Sequence, residues 1–211
     1  DQMTLDAIDF IQQNKAEPFF LYYAAWLVHT PIHSRSKDLL EKYCEKLGVN
    51  FPSDPDGWKL KGQKNPFYCA MVEMFDHYVG QIISYLSETD DPRWEGHKLI
   101  ENTYIIFTSD NGGMEQVPGE IITDNYPLDR GKISLEEGGV RVPLIICGPD
   151  IKGEQESEVM VNGLDFYPTI LSWTKTEKPS GVRFDGCNLS YLLKQNPQDY
   201  KLVIQGNGKP R

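Results

Sequence analysis

The 211-residue sequence predicts an α/β fold with a largely parallel central sheet flanked by helices. Its predicted strands are near-continuous apolar runs, typical of strands buried on both faces, and they alternate with amphipathic helical patterns. Hydrophobic residues make up 39% of the chain, which is enough for one domain with a sizeable core. Ligands of such sheets bind beyond the carboxyl ends of the strands, so the residues that follow each strand are the first candidates for a functional site.

The first part of the chain predicts a helix, a strand and a second helix. Apolar residues at helical spacing over residues 3–14 predict a short amphipathic helix, with Thr4 as its N-cap. FFLYYAA, which follows Pro18, predicts a buried strand. SKDLLEKYCEKLG predicts a second helix that ends at Gly48, followed by an irregular loop over residues 49–65.

The remaining elements are predicted from helical spacing or from apolar runs. The long helix is the best supported of them, because its apolar residues recur at three-to-four spacing over its whole length. We expect Cys147 to be buried in the third strand, and Pro168 to interrupt the helix that contains it. In order, the elements are a long helix over 65–89, a buried strand over 102–110, a loop over 110–131, a strand over 142–148, a helix over 162–174 and a strand over 202–206.

Charge and cysteine spacing narrow the classes of function. The net charge is -10, whereas a nucleic-acid-binding protein normally presents a basic face, so we expect no nucleic acid partner. An anionic substrate would need local positive charge from a metal ion or from a few Lys and Arg side chains. The four cysteines form no CxxC pair, which argues against a zinc ribbon. No apolar run approaches the roughly 18 residues of a membrane span.

The second predicted strand ends in TSDNGG, at residues 108–113. Asp110 and Asn111 offer a carboxylate and an amide oxygen, which are hard donors suited to Ca²⁺ or Mg²⁺ rather than to zinc. Gly112 and Gly113 would let the backbone turn tightly beside an ion. The same residues also form Asx-turns at strand ends, and the hexapeptide alone favours that plain turn over a metal site.

A histidine and a lysine lie near the ends of the other predicted strands. His29 follows the first strand, where it could act as an acid or bind an anion, and His33 lies four residues on. Pro31 disfavours a continuous helix that would let the two histidines share a metal ion. Lys132 lies ahead of the third strand and could neutralise an oxyanion. Taken alone, either His29 or Lys132 could equally be a solvated surface side chain.

Together these segments resemble the sulfatase family, within the alkaline-phosphatase-like superfamily. The resemblance covers nearly the whole chain and favours the metal site over the plain turn in TSDNGG. It implies that residues 1–211 form part of a sulfatase catalytic domain with an alkaline-phosphatase-like fold. The resemblance rests on five ordered segments, which are PFFLYYAAWLVHTP, YCAMVEMFDHYVGQII, TYIIFTSDNGG, GKISLEEGGVRVPLIICGP and VNGLDFYPTIL.

The resemblance implies a role for each candidate residue. Asp110 and Asn111 would be metal ligands, normally for Ca²⁺, with Mg²⁺ as an alternative. Lys132 would contact the sulfate oxygens, and His29 would contact sulfate and protonate the leaving oxygen, whereas His33 has no counterpart. The implied function is metal-dependent hydrolysis of sulfate esters, with a sulfated small molecule or glycan as the substrate. The implied compartment is periplasmic, extracellular or lysosomal.

One family feature is absent from the sequence. Sulfatases use a formylglycine nucleophile made from the first residue of a Cys/Ser-x-Pro-x-Arg motif, and this chain has none. CGPDI comes nearest, but Ile151 stands where the arginine is required. In the family the nucleophile and further metal ligands lie upstream of the segments seen here. We therefore expect a central and C-terminal part of a sulfatase, inactive alone, whose partner is the missing N-terminal part of the same enzyme.

Two alternative functions remain open from the sequence. The first is a phosphatase, phosphodiesterase or phosphonate hydrolase of the same superfamily. Those enzymes tend to place a histidine after the strand-end aspartate, where this chain has Asn111. The second is a non-catalytic binding protein that kept the fold, which the absent nucleophile motif would support.

Overall fold

The computed structural model describes residues 1–34, 36–50, 64–115, 122–151, 153 and 155–193. The chain divides into two compact units, the first comprising Asp1–Ile146 and the second beginning at Cys147. The α-helices are α1 (Gln2–Asn14), α2 (Lys37–Leu47), α3 (Pro66–Glu88), α4 (Glu137–Val140), α5 (Phe166–Trp173) and α6 (Ser190–Leu193). The strands are β1 (Ile105–Thr108) and β2 (Leu144–Cys147), and short 3₁₀ turns cover Leu99–Asn102 and Gly163–Asp165.

The three long helices of the first unit confirm the predicted helices. In α2, Ser36 caps the first turn and Gly48 ends the helix in the left-handed conformation that glycine adopts without strain. In α3, the Asn65 side chain accepts hydrogen bonds from the first turn, and Pro66 occupies a position where no N–H is needed. No helix in the described part of the chain is long and apolar enough to cross a membrane.

The predicted cap of α1 is wrong. Asp1 is the N-cap, because its side chain accepts a hydrogen bond from the Met3 backbone N–H. Thr4 is instead buried within the helix, and its hydroxyl lies 3.0 Å from the Tyr23 hydroxyl. A buried hydroxyl needs a hydrogen-bond partner, and the tyrosine supplies it. Thr4 therefore attaches α1 to the extended segment that follows the helix.

The predicted strand over FFLYYAA is also wrong, since the described residues contain no hydrogen-bonded strand there. The segment does alternate as a strand would. Phe19 and Leu21 pack against the core formed by α1, α3 and the first 3₁₀ turn, whereas Phe20 and Tyr22 are 68% and 81% exposed. A strand also requires a neighbour to share its backbone hydrogen bonds, and no described element pairs with this segment. The apolar run therefore gives extended backbone without a sheet.

Strands β1 and β2 confirm two predicted strands and pair as a two-stranded sheet. The prediction that Cys147 is buried is wrong, because its side chain is exposed. Successive side chains of a strand point to opposite faces, so Cys147 lies on the same face of β2 as Ile145, which is 61% exposed. The described sheet thus has one exposed face on β2. It is a portion of the largely parallel central sheet that the sequence predicts.

The second unit is built around α5, and Pro168 does not interrupt this helix. Pro168 is the third residue of α5, within the first turn, where backbone N–H groups have no partner in the helix. The buried Asp165 carboxylate accepts hydrogen bonds from the Asn162 and Cys187 backbone N–H groups at 2.8 and 2.7 Å. Thr169, also fully buried, accepts one from the Leu189 N–H. The strand predicted over 202–206 lies outside the described residues.

A buried carboxylate in the connection between α3 and β1 makes stability depend on pH. Asp91 accepts hydrogen bonds from the Arg93 N–H and guanidinium and from the Asn102 amide. Burial opposes ionisation of Asp91, yet these donors together hold the pKa of its carboxyl below the usual value. A group with a lowered folded-state pKa stabilises the protein above its unfolded pKa, about 3.9 for aspartate, and loses that contribution as the pH falls.

We therefore expect Asp91→Asn to flatten the acid limb of the stability curve. The wild type should lose more thermal stability than Asp91→Asn when the pH is lowered from about 5 to about 2, because only the wild type has this carboxylate to protonate. Melting temperatures recorded at each pH measure the difference. Asp9→Asn, at an exposed position of α1, is the matched control and should follow the wild type. Equal acid losses in the wild type and Asp91→Asn would contradict the assignment.

Candidate functional site

The strand end of β1 carries the two predicted metal ligands. The Thr108 hydroxyl donates to the Pro143 carbonyl at 2.9 Å, which ties the end of β1 to the residue before β2. The Asp110 side chain is exposed, and Asn111 is half-buried. The Asn111 amide nitrogen donates to the Gly112 carbonyl at 3.0 Å, so the amide oxygen faces away from that bond and is available as an acceptor. Asp110 and Asn111 thus present two hard oxygen donors on adjacent residues.

The two glycines after Asn111 are required by close packing, which differs from the tight turn that the sequence predicts. Neither glycine has a positive φ. The Gly112 N–H donates to the Gly139 carbonyl at 2.9 Å, and a Cβ added to Gly112 would lie 1.7 Å from the Gly138 carbonyl oxygen. A Cβ added to Gly138 would in turn lie 1.8 Å from the Arg130 carbonyl oxygen. Backbones approach this closely only where Cβ atoms are absent.

The lysine loop, which comprises residues 130–133 and carries Lys132, is attached to the same strand end. The Lys132 backbone N–H donates to the Gly113 carbonyl at 2.9 Å, and the Asn125 amide donates to that carbonyl at 3.1 Å. Two residues beside Lys132 have left-handed backbones, Arg130 with a φ of 59° and Ile133 with a φ of 76°. A β-branched residue rarely adopts this conformation, and the Ile133 side chain is 86% exposed. The loop is therefore held by its backbone hydrogen bonds, not by burial of its side chains.

The side chains of Lys132 and His29 meet although they are 103 residues apart in sequence. The Lys132 Nζ lies 2.8 Å from the His29 Nε2. An ammonium group can only donate, so Nε2 is the acceptor and the ring is neutral, with its proton on Nδ1. That assignment is consistent with the Thr30 carbonyl, which lies 3.2 Å from Nδ1. Lys132 and His29, both predicted site residues, are therefore in direct contact.

Other predicted site residues are less directly connected. Among the described residues, the contacts join the Asn111–Gly113 segment to Lys132 through the backbone, but none joins the Asp110 carboxylate to Lys132 or His29. His33 is exposed and is not part of this contact. The described part of the chain contains no group of three or more His, Cys, Asp and Glu side chains that could hold a metal ion. Asp110 and Asn111 fit a hard cation by their chemistry, as a partial set of ligands.

Four further residues assemble this region, and no pattern in the sequence singled them out. They connect the strand end to the Lys132 loop through hydrogen bonds or close backbone packing, and none carries an obvious chemical function. The glycine pair in LEEGGV is a signal that could have revealed Gly138 and Gly139, since two glycines in a short helix suggest a close backbone approach. The four residues are Asn125, Gly131, Gly138 and Gly139.

Comparison with known proteins decides the family. Residues 1–176 match the sequence model of a family described as Sulfatase. The chain belongs to the sulfatase family. Human steryl-sulfatase is 32% identical over 202 residues, which cover 93% of this chain and 30% of that protein. Mouse N-acetylgalactosamine-6-sulfatase is 32% identical over 190 residues, which cover 88% of this chain and 31% of that protein.

The solved structures agree with the predicted fold. The crystal structure of the yidJ sulfatase candidate from Bacteroides fragilis matches with a TM-score of 0.65 and 25% identity, covering 94% of this chain and 42% of that one. This member of the sulfatase family is therefore a partial α/β domain of the alkaline-phosphatase-like fold, as its sequence predicts. It spans about a third of the length of the curated relatives that it matches.

The close glycine packing predicts a large difference between two Gly→Ala substitutions. Gly112→Ala should destabilise the fold by at least about 1–3 kcal/mol, because its Cβ collides with a backbone carbonyl that cannot move aside easily. Gly80→Ala, in α3, meets no atom within 4 Å and should stabilise the helix by up to about 1 kcal/mol. Urea denaturation of both variants measures the two free energies. A neutral Gly112→Ala would show that the two segments do not pack as described.

Proposed function

We propose that this chain contributes part of the active site of a sulfuric ester hydrolase. The contact between His29 and Lys132 is the observation that carries the proposal. In it a cationic donor lies within hydrogen-bond distance of an imidazole ring, and the Lys132 backbone N–H is bonded to Gly113, two residues after Asn111. Membership of the sulfatase family supports sulfate esters as the substrate class. Asn111, at the position where the related phosphatases tend to have histidine, makes phosphate ester hydrolysis the less favoured alternative.

A sulfate group would be a better partner for Lys132 and His29 than each side chain is for the other. The Lys132 ammonium now donates to a neutral ring, and a sulfate oxygen would be a stronger acceptor because it is charged. With a proton on Nε2, His29 would donate to a second sulfate oxygen. When a nucleophile of the complete enzyme forms a bond to sulfur and the S–O bond to the alcohol breaks, Lys132 would offset charge on the sulfuryl oxygens and His29 would deliver its proton to the departing alcohol oxygen.

Asp110 and Asn111 are proposed to hold a divalent cation. Ca²⁺ is the favoured ion and Mg²⁺ the alternative, because both prefer carboxylate and amide oxygens. A bound cation would supply additional positive charge to the sulfate group. Calcium takes about six to eight oxygen ligands, and these two residues supply only part of that set. This chain has no Cys/Ser-x-Pro-x-Arg motif. The family's formylglycine nucleophile is therefore proposed to belong to another part of the complete enzyme.

The substrate is proposed to be a sulfated glycan or a sulfated small molecule. The name of the mouse relative refers to the 6-sulfate of an amino sugar, which supports a sugar ester. The name of the human relative refers to a steryl sulfate, which supports a small apolar alcohol. Assays with a sugar sulfate and with a steroid sulfate separate these two classes.

We expect Lys132→Ala and His29→Gln to inactivate the complete protein without unfolding it. Each should lower kcat/KM for an aryl sulfate by about 100-fold or more, because each removes a group that acts on charge in the transition state. Melting temperatures should change little, since both side chains lie at the surface. Lys37→Ala, an exposed lysine of α2 paired with Glu41, is the matched control and should retain full activity. An active Lys132→Ala variant would refute the assigned roles.

The partial ligand set predicts weak metal binding by this chain alone. Calorimetric titration with Ca²⁺ should give a Kd on the order of millimolar. Water must complete the coordination shell, and a water ligand brings no negative charge to offset the cost of dehydrating the ion. Asp110→Ala should abolish the binding. Micromolar binding that disappears in Asp110→Ala would contradict a partial site. It would indicate that further carboxylates, such as Asp124 or Asp129, complete the shell.

A further inference from the structure

Asn125 links the two loops that carry the candidate site. Its amide nitrogen donates to the Gly113 carbonyl at 3.1 Å and to the Arg130 carbonyl at 3.0 Å. Gly113 lies two residues after Asn111, and Arg130 lies two residues before Lys132. The Gly113 carbonyl also accepts the Lys132 backbone N–H at 2.9 Å. One side-chain amide thus bridges the strand end and the base of the lysine loop.

The Asn125 side chain is enclosed by the segments it joins. A Cβ added to Gly131 would lie 2.5 Å from its Nδ2, and a Cβ added to Gly113 would lie 3.0 Å from its Oδ1. Its own backbone N–H donates to the Glu115 carboxylate at 2.9 Å. The amide therefore has a fixed position, and both glycines leave the space that it occupies.

The lysine loop needs such an attachment. Arg130 and Ile133 hold left-handed backbones on either side of the Gly131–Lys132 pair, which costs on the order of 1–3 kcal/mol for each residue. The exposed side chain of Ile133 contributes no buried surface to offset this cost. Hydrogen bonds to the neighbouring loop are what keep the segment in this conformation. Loss of the Asn125 amide would remove its hydrogen bonds to Gly113 and Arg130 and leave the one from the Lys132 N–H.

We propose that Asn125 is a positioning residue that holds the Lys132 ammonium at His29. Asn125 touches neither Lys132 Nζ nor His29, so it acts through the backbone of the lysine loop. Its effect on turnover rests on the proposed sulfate ester hydrolysis, whereas its effect on the contact between Lys132 and His29 does not. Two measurements on the complete protein separate these consequences.

The first measurement is a double-mutant cycle on kcat/KM for an aryl sulfate. Asn125→Ala should lower kcat/KM by about 10- to 100-fold, as expected for a displaced catalytic group. In a Lys132→Ala background the same substitution should change kcat/KM by less than about 3-fold, because the group that Asn125 positions is already gone. An equal loss in both backgrounds would overturn the proposal.

The second measurement reports the contact without turnover. In a ¹H–¹⁵N spectrum of the histidine side chains, with His29 assigned from His29→Gln, Lys132→Ala should shift the Nε2 resonance that now accepts the lysine hydrogen bond. Asn125→Ala should shift it in the same direction. An unchanged resonance in Asn125→Ala would overturn the positioning role. If the wild type has no sulfatase activity, the proposed function fails, and this spectrum still decides the role of Asn125.

The control is another asparagine whose amide donates to a backbone carbonyl. Asn14 donates to the Phe10 carbonyl at 2.8 Å at the end of α1, and Asn14→Ala should leave both kcat/KM and the His29 resonance unchanged. Asn125→Asp is the second variant, because it keeps the size of the side chain and replaces the amide donor with an anionic acceptor. It should reproduce Asn125→Ala in both measurements. Loss of folded protein in both Asn125 variants would make the residue structural and overturn the proposal.

Discussion

The close approach of the backbone at Gly112 to the backbone at Gly138 and Gly139 is the constraint on which the candidate site depends. A hydrogen bond of 2.9 Å joins Gly112 to Gly139, and no Cβ fits at either Gly112 or Gly138. The strand end of β1 is thereby fixed against the segment that leads into β2. Because the lysine loop lies between these two segments in sequence, fixing its ends limits where Lys132 can be.

The positive charge at this site is local, whereas the chain as a whole is negatively charged. The chain carries a net charge of -10, which would repel an anionic ester at long range. Lys132 is the cation that the contacts place at His29, and the neutral ring adds no repulsion to it. A metal ion on Asp110 and Asn111 would add further positive charge at the strand end. Binding of an anion here would therefore depend on a few groups at short range, which would require accurate placement of each group.

Helices were the most predictable part of the fold, and the reasons are local. Each of these helices is specified by residues within it or directly beside it. They are the apolar residues at helical spacing, the caps Ser36 and Asn65 and the terminal Gly48. The strand predicted over FFLYYAA failed because pairing depends on a neighbour, which a local pattern cannot specify. Cys147 failed for a related reason, since burial of a strand face depends on what covers it.

The candidate residues were identified by their chemical groups, whereas the contacts that connect them were not predicted from the sequence. His29, Asp110 and Asn111 stood out as polar residues that follow predicted strands, and Lys132 stood out as a lysine beside a glycine ahead of one. Asn125 did not, because its role exists only once Gly113 and Arg130 are neighbours in space. Gly112 and Gly113 were noticed for a tight turn, although close packing of segments distant in sequence requires them.

The most direct test of the account is a crystal structure of the complete protein with Ca²⁺ and inorganic sulfate. The central claim is that the glycine packing assembles His29, Lys132 and the β1 strand end into one anion site. The account predicts sulfate oxygens at about 3 Å from Lys132 Nζ and from His29 Nε2, with the cation bound to Asp110 and Asn111. Sulfate bound elsewhere, with His29 and Lys132 too far apart to share one anion, would contradict it.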